Sequence, residues 1–212
     1  GDITDPSIWD KFQCVDHVFH LAAQTFVPDS FAKTQQYFQT NLMGTVNTLE
    51  FCRKNNCKLT FMSTYVYGRP EYLPVNENHP RIGLTPYHQS KICGEDLCEF
   101  YSRIFNVPVT VLRPFNVYGV GQNPDFIIPL IIKQLYDASS EKISVMSLTP
   151  KRDFVYISDL IAAMLLTLQC QESNYKVYNV GSGSSFSVEE VIQLVQQISG
   201  IYKPYTSSQQ TR

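Results

Sequence analysis

Thr85-Pro86-Tyr87-His88-Gln89-Ser90-Lys91 is the stretch from which the rest of the chain can be read. Tyr87 and Lys91 are four residues apart, a spacing that puts both side chains on one face of a helix, about one turn apart. Pro86 suits a first helical turn, where a missing N–H costs little. Cys93, Leu97, Phe100, Tyr101 and Ile104 carry the helix on as an apolar stripe, and it is predicted to stop before Pro108. A phenol beside an ammonium group has a chemical consequence. The positive charge favours phenolate, so the Tyr87 pKa is expected to fall toward the working pH. Such a tyrosine can take a proton from an alcohol or return it to a ketone. The spacing alone is a weak signal, because a surface Tyr and Lys often share a helix face by chance.

The flanking segments supply a context. Residues 58–64 read as a strand ending in Ser63 and Thr64, and residues 109–113 as the strand after the Tyr87 helix. Upstream, residues 15–23 form an apolar run that ends in the small residues Ala22 and Ala23. Small side chains at the carboxyl end of a strand let a ligand approach the backbone; close helix–strand packing explains them equally well. Residues 30–38 and 41–54 read as helices and residues 69–85 as a Pro-, Asn- and Glu-rich loop. Strand, helix, strand, helix, strand predicts an α/β fold with right-handed crossovers and a parallel sheet.

Beyond Arg113-Pro114-Phe115-Asn116 the pattern changes. Gly119, Gly121, Asn123 and Pro124 mark a loop. Helices are expected at 126–136, from Ser158 onward, and from a Ser187/Glu190 capping box to Gly200. Short strands are expected at 143–148 and 177–180, a strand or extended loop at 151–157, and the tail from Tyr202 is expected to be loosely ordered.

Composition limits the function. Of 212 residues 43% are hydrophobic, enough for a substantial core, and the formal net charge of -2 with no basic block argues against nucleic acid or a membrane surface. No apolar run approaches the roughly 20 residues that span a bilayer. The six cysteines lack metal-ligand spacing, so no metal site is expected and a reduced, cytoplasmic setting is.

Six motifs then occur in order: His20-Leu21-Ala22-Ala23-Gln24, Asn41-Leu42-Met43-Gly44-Thr45, Met62-Ser63-Thr64-Tyr65-Val66-Tyr67-Gly68, Tyr87 to Lys91, Arg113-Pro114-Phe115-Asn116-Val117-Tyr118-Gly119, and Arg152-Asp153-Phe154. With them the sequence resembles the extended short-chain dehydrogenase/reductase family, specifically its NAD(P)-dependent nucleotide-sugar epimerases and dehydratases, over nearly the whole chain. The resemblance implies a Rossmann-like doubly wound parallel sheet with a smaller C-terminal substrate-binding region. Residues 1–115 would be the remainder of the NAD(P)-binding domain and 116–212 mainly the substrate region, with 152–170 packing back on the former.

It also implies roles. Tyr87 is similar to the family's acid/base, and Lys91 to the residue that lowers its pKa and holds the nicotinamide ribose. Ser63 corresponds to the hydroxyl that meets the sugar, with Thr64 as a neighbour able to share that work. Asp2 and Ile3 correspond to the pair beside the adenine. Leu21, Ala22 and Ala23 resemble the segment passing the pyrophosphate and ribose, and Met62 and Pro114 complete the cofactor set. Thr25, Asn116 and Arg152 join Ser63 and Thr64 on the nucleotide-diphosphate sugar. An Arg152–Asp153 ion pair is the alternative for Arg152. NAD is the implied cofactor, with NADP not excluded, and the implied state is a homodimer.

Two departures matter. The family's Gly-rich strand–turn–helix, which holds pyrophosphate at a helix N-terminus, would precede Asp2 and is not in this sequence. The chain is therefore expected to be a fragment, short also of the family's last elements and poor at binding dinucleotide alone. Second, the Asp-Glu pair of the 4,6-dehydratases is replaced by Thr64-Tyr65. A 4-epimerase working through a transient keto sugar is the expected activity, with a 4-keto-6-deoxysugar reductase as the alternative and a dehydratase behind both.

Overall fold

The structure, a computed structural model, describes residues 1–169 and 175–208. It divides into two units, one of Gly1–Pro114 with Leu160–Val180, the other of Phe115–Asp159 with Gly181–Arg212.

The first unit is built on β1 (His17–His20), β2 (Lys58–Met62), β3 (Val109–Pro114) and β7 (Lys176–Val180). They form one parallel sheet in the order β1-β2-β3-β7, with Phe19 opposite Thr60, Phe61 opposite Val111 and Arg113 opposite Asn179. The predicted strand at 177–180 thus joins this sheet at its edge. The crossover helices are α3 (Gly44–Asn55) and α4 (Pro86–Phe105). Thr85 caps α4, its hydroxyl accepting from the His88 N–H, and Pro86 occupies the first turn. Both helices stop at a left-handed asparagine, Asn56 (φ 53°) and Asn106 (φ 57°). The next residue then bonds back, Cys57 N–H to the Cys52 carbonyl and Val107 N–H to the Tyr101 carbonyl, which satisfies late helical acceptors and turns the chain into β2 and β3.

Strand alternation sorts the two faces. Val18, Leu59, Phe61, Val109 and Val111 face Leu49, Phe51, Cys52, Cys98 and Tyr101 of α3 and α4 in the core. Gly94 lets α4 approach closely, since a Cβ there would lie 2.7 Å from the Phe61 ring. On the other face Thr60 bonds His17 Nε2 (2.8 Å) and the Thr167 hydroxyl of α6 (Ile157–Thr167) at 2.6 Å. Helices therefore lie on both faces of a parallel sheet, the doubly wound arrangement.

Two helical predictions need correction. The helix expected at 30–38 is split into α1 (Val27–Ala32) and α2 (Thr34–Phe38), with Thr34 turning its hydroxyl back on the Ser30 carbonyl. Likewise α3 begins only at Gly44, after a π turn at Gln39–Met43 that aims Asn41 inward.

The loop between β2 and α4 has no regular element, yet it is pinned. Arg113 lays Nε and Nη2 on the Glu95 carboxylate, the latter at 2.6 Å, while its Nη1 donates to the Tyr67 hydroxyl and the Glu77 carbonyl. Arg81 reaches Glu95 and Asp96, and the Asn179 N–H donates to Glu77 Oε1. Glu95 is fully buried.

The second unit holds β4 (Asn116–Tyr118), α5 (Ile127–Tyr136), β5 (Ile143–Val145), β6 (Lys151–Tyr156), β8 (Ser185–Ser187), α7 (Val188–Ser199) and β9 (Tyr205–Ser207). Strand β6 pairs parallel with β4 and antiparallel with β8, and β5 pairs parallel with β9. Ile131 and Leu135 of α5, Ile143 and Val145 of β5, and Val188, Val191 and Ile192 of α7 close its core. The capping box at Ser187 and Glu190 is present. The tail is better ordered than expected as far as Ser208. Lys203 Nζ donates to the carbonyls of Gln134, Asp137 and Ser140, the cation that the end of α5 favours, and Tyr205 pairs with Ile143. Residues 209–212, and Cys170, lie outside the described residues. Among the described residues, no helix is long and apolar enough to cross a membrane.

Removing one partner of a buried ion pair strands the other. Arg113→Met in the full-length protein should therefore lower unfolding free energy by about 3–5 kcal/mol. Arg113→Met/Glu95→Leu should lose less than the sum of its single variants. Urea titrations monitored by circular dichroism measure both, and a loss below about 1 kcal/mol for Arg113→Met would contradict the role given to the pair.

Candidate active site

One face of α4 presents Tyr87, Lys91 and Glu95, spaced four residues apart, beside the carboxyl ends of β2 and β3. Tyr87 and Lys91 are buried, 8% and 4% exposed. Lys91 Nζ donates to the Met62 carbonyl at 2.8 Å and lies 5.1 Å from the centre of the Phe61 ring. The two hydroxyls after β2 face different partners. Ser63 Oγ donates to Glu95 Oε1 at 2.5 Å and is 3% exposed, whereas the half-buried Thr64 hydroxyl acts on Tyr87, whose pKa it pulls down. The structure therefore gathers Tyr87, Lys91, Ser63, Thr64 and Met62.

The expected influence of Lys91 on Tyr87 is not what this arrangement produces. Burial dominates and lifts the Tyr87 pKa above the ordinary tyrosine range, Thr64 pulls it back, and the Tyr37 phenol adds to the rise. Lys91 is turned to a backbone carbonyl instead. Burial lowers its own pKa to about 8, against the opposing pull of Cys98 and Glu95. His20 faces the same region and stays neutral, its pKa pushed down to about 3 by burial and then by the Lys91 charge. Thr45 donates to the Asn41 carbonyl, so His20 Nε2, 2.9 Å from the Thr45 oxygen, carries the proton.

The carboxyl end of β1 is organised by a residue to which sequence reasoning gave no role. Asn41 Oδ1 accepts from the Gln24 N–H, and its Nδ2 donates to the Gln24 carbonyl and to Ser90 Oγ. Ser90 donates in turn to the Tyr87 carbonyl. The segment Leu21–Gln24 is thereby tied to the first turn of α4. Leu21 is 51% exposed, Ala22 and Thr25 are also exposed, and Ala23 is half-buried. The Ile3 carbonyl accepts from Asn47 Nδ2, and a Cβ on Gly44 would collide with Ile3 at 2.2 Å, so the first residues are seated on α3. The exposed Asp2 accepts from the Thr4 N–H and hydroxyl. Pro114 is buried at the end of β3, opposite Val180.

Asn116 and Arg152 belong to the second unit. Asn116 Nδ2 donates to the Asp153 carbonyl at 3.1 Å. Arg152 is exposed and its Nη1 donates to the Lys151 carbonyl. The alternative Arg152–Asp153 ion pair is not formed: the two residues are neighbours on β6, whose side chains alternate faces, and the Asp153 carboxylate accepts from Ser182 and Gly183 instead. Among the described residues, no group of three or more His, Cys, Asp or Glu side chains is placed to hold a metal.

Three comparisons bear on this geometry. The profile of the NAD dependent epimerase/dehydratase family matches residues 1–181. A Methanocaldococcus jannaschii protein provisionally named UDP-glucose 4-epimerase is 35% identical over 204 residues, 92% of this chain and 66% of its own length. The GDP-6-deoxy-D-mannose reductase of Pseudomonas aeruginosa is 34% identical, over 94% of this chain and 69% of its own. Among solved structures, RMD from Pseudomonas aeruginosa complexed with NADPH superposes with a TM-score of 0.90 at 30% identity, covering 98% of this chain and 75% of that one. The chain thus spans just under two thirds of the first relative.

The depressed Lys91 pKa has a consequence for stability. Below about pH 8 the ammonium is charged in folded and unfolded states, and the fold bears the full cost of burying it. Between there and the ordinary lysine value the folded state sheds its proton first, so stability rises with pH and the cost disappears. Lys91→Met should therefore stabilise the cofactor-free protein near pH 7 by on the order of 1–3 kcal/mol, and the advantage should shrink as the pH is raised. Urea titrations of both proteins across that range read the effect; a less stable variant at pH 7 would refute it.

Proposed function

This chain belongs to the NAD dependent epimerase/dehydratase family, and from that premise we propose that its parent protein is an NAD-dependent nucleotide-sugar 4-epimerase acting through a transient keto sugar. The observation that carries the reading is the buried face of α4, where Tyr87 meets the Thr64 hydroxyl and Lys91 stands one turn on. As phenolate Tyr87 takes the proton of the sugar hydroxyl while the carbonyl forms, and as phenol it returns that proton when the sugar has turned over in the site. Ser63 and Thr64 hold that oxygen. Asn116 and Arg152 take the diphosphate, to whose oxygens an arginine fork is well matched.

The residues present suit the cofactor. An ammonium has three donors, of which Met62 takes one, so Lys91 can also hold ribose hydroxyls. Leu21, Ala22 and Ala23 leave the end of β1 open to a ligand, with Met62 and Pro114 beyond and Asp2 and Ile3 toward the adenine. NAD, when bound, accepts hydride from the sugar carbon and gives it back. NADP is the alternative, and the complex of the similar RMD with NADPH favours keeping it. Residues 1–115 are read as dinucleotide-binding and 116–212 as mainly substrate-binding, the stretch from Leu160 returning to the first unit.

A second reading, reduction of a 4-keto-6-deoxysugar nucleotide, draws on the 34% identity to the GDP-6-deoxy-D-mannose reductase. Dehydration is less favoured, because Thr64 and Tyr65 offer no carboxyl pair to strip water. We further infer a homodimer, in keeping with the exposed Phe100 and Ile104 on α4. A cytoplasmic role in carbohydrate biosynthesis fits the free thiols at Cys14, Cys52, Cys57, Cys93 and Cys98.

Tyr87→Phe in the full-length protein should keep the fold and lower kcat by about 100-fold or more, because the proton carrier is gone. Circular dichroism and turnover measured together decide this, and wild-type kcat on every accepted nucleotide sugar would defeat the assignment.

The reaction type has its own test. An epimerase regenerates its cofactor each cycle, so UDP-, GDP- or dTDP-hexoses should interconvert with no net absorbance change at about 340 nm. In deuterated water a simple 4-epimerase should leave carbon-bound hydrogens untouched. Deuterium at carbon 6 with a 4-keto-6-deoxy product would point to a dehydratase, and stoichiometric oxidation of NAD(P)H by a 4-keto sugar to the reductase.

A further inference from the structure

We propose that Asp153 is a positioning residue for the diphosphate contacts of this protein, its carboxylate folding the loop at Ser182 and Gly183 so that β8 is held in register beside Arg152. The inference rests on the reading of Asn116 and Arg152 given above.

Sequence adjacency favours a local ion pair between Arg152 and Asp153, which would neutralise the arginine. Strand alternation in β6 sends the two side chains to opposite faces, and the carboxylate has partners of its own. Asp153 Oδ1 accepts from the Ser182 N–H and hydroxyl, both at 2.8 Å, and Oδ2 accepts from the Gly183 N–H at 2.9 Å. The loop is shaped for this contact. Gly183 is left-handed at φ +79°, and a Cβ on Gly181 would stand 2.9 Å from Asp153 Oδ2. A side chain at 181 would push the loop off the carboxylate.

Both neighbours of β6 meet it at this residue, one through the Asp153 carboxylate and the other through its backbone carbonyl. On one edge the folded loop delivers β8 in register, with Ser185 opposite Asp153 and Phe186 opposite Arg152. On the other edge β4 places Asn116 opposite Phe154, and Asn116 Nδ2 donates to the Asp153 carbonyl. One amide proton is thereby committed, while the Asn116 carbonyl oxygen and second N–H are left for a ligand. If the three donors to the carboxylate were lost, the loop would come away from Asp153 and β8 would lose its register beside Arg152.

The test uses full-length protein and UDP as the probe, with binding read by calorimetry and folding by thermal melts. Asp153→Ala should weaken UDP about tenfold, and KM for a turned-over nucleotide sugar should rise several times more than kcat falls. Arg152→Ala should weaken UDP similarly, and Asp153→Ala/Arg152→Ala by much less than the product of the two, because the first acts through the second. If Asp153→Ala does not fold, Ser182→Ala carries the test through the loss of a single donor, with about a twofold weakening expected. Full additivity, or a lowered melting temperature with unchanged UDP affinity, would overturn the inference and leave the proposed function standing. Unweakened binding in Arg152→Ala would remove the diphosphate reading and this inference with it.

Discussion

The pair formed by Arg113 and Glu95 is the constraint on which the rest of the first unit depends. An ion pair taken out of water bears a desolvation cost of several kcal/mol per ion unless every lone pair and proton is satisfied. Here the satisfaction is nearly complete: Glu95 accepts from Arg113, Arg81 and Ser63, and Arg113 spends its remaining donors on Tyr67 and Glu77. The partners come from four pieces of chain: the end of β2, the long loop, α4 and β3. Satisfying one carboxylate therefore brings four segments to a fixed arrangement beneath Tyr87 and Lys91, and the loop needs no secondary structure of its own to be held.

A second polar knot does the same for the end of β1. The π turn at Gln39–Met43 turns the buried Asn41 toward Gln24 and Ser90. Single π turns inside helices recur at functional sites because they aim a side chain that a regular helix would direct elsewhere. Asn41 thus couples the end of β1 to the helix that carries Tyr87 and Lys91. Asp153 fills the corresponding place in the second unit. In all three cases a buried or half-buried polar group fixes the geometry of the segments around it.

Much of this was legible in the sequence. The apolar runs and their order give the parallel sheet, and a spacing of four gives the shared face of Tyr87 and Lys91. Local chemistry marks helix ends, as Pro86 and the Ser187/Glu190 box show. What stayed hidden depends on partners distant in the chain. Glu95 lies one turn beyond Lys91 and belongs to the same periodic pattern, but its role needs Arg113 and Arg81 beside it. Asn41 was visible within a motif and without a role, because Gln24 and Ser90 are remote from it in sequence. The direction of the Tyr87 shift was misread for a related reason. Spacing says that a cation is near, whereas burial and the carbonyl of Met62 decide where that cation points. Lys203 carries no local signal, since the three carbonyls it caps come from the last turn of α5 and the turn that follows it, far from it in sequence.

Burial acts on the two central groups in opposite directions, and that has a mechanistic implication. Desolvation penalises whichever form is charged, so it raises the phenol and lowers the ammonium. In this form of the site, Lys91 gives up its proton before Tyr87 does, and a resting phenolate–ammonium pair is not the favoured state. On the proposed reading, ionisation of Tyr87 then has to be coupled to binding. A ribose that draws Lys91 away from Met62, and a sugar hydroxyl placed against Tyr87 and Thr64, would supply the polar partners that the protein alone withholds. The acid/base would be activated only when there is a substrate to receive or surrender the proton, which keeps a reactive phenolate out of the idle site.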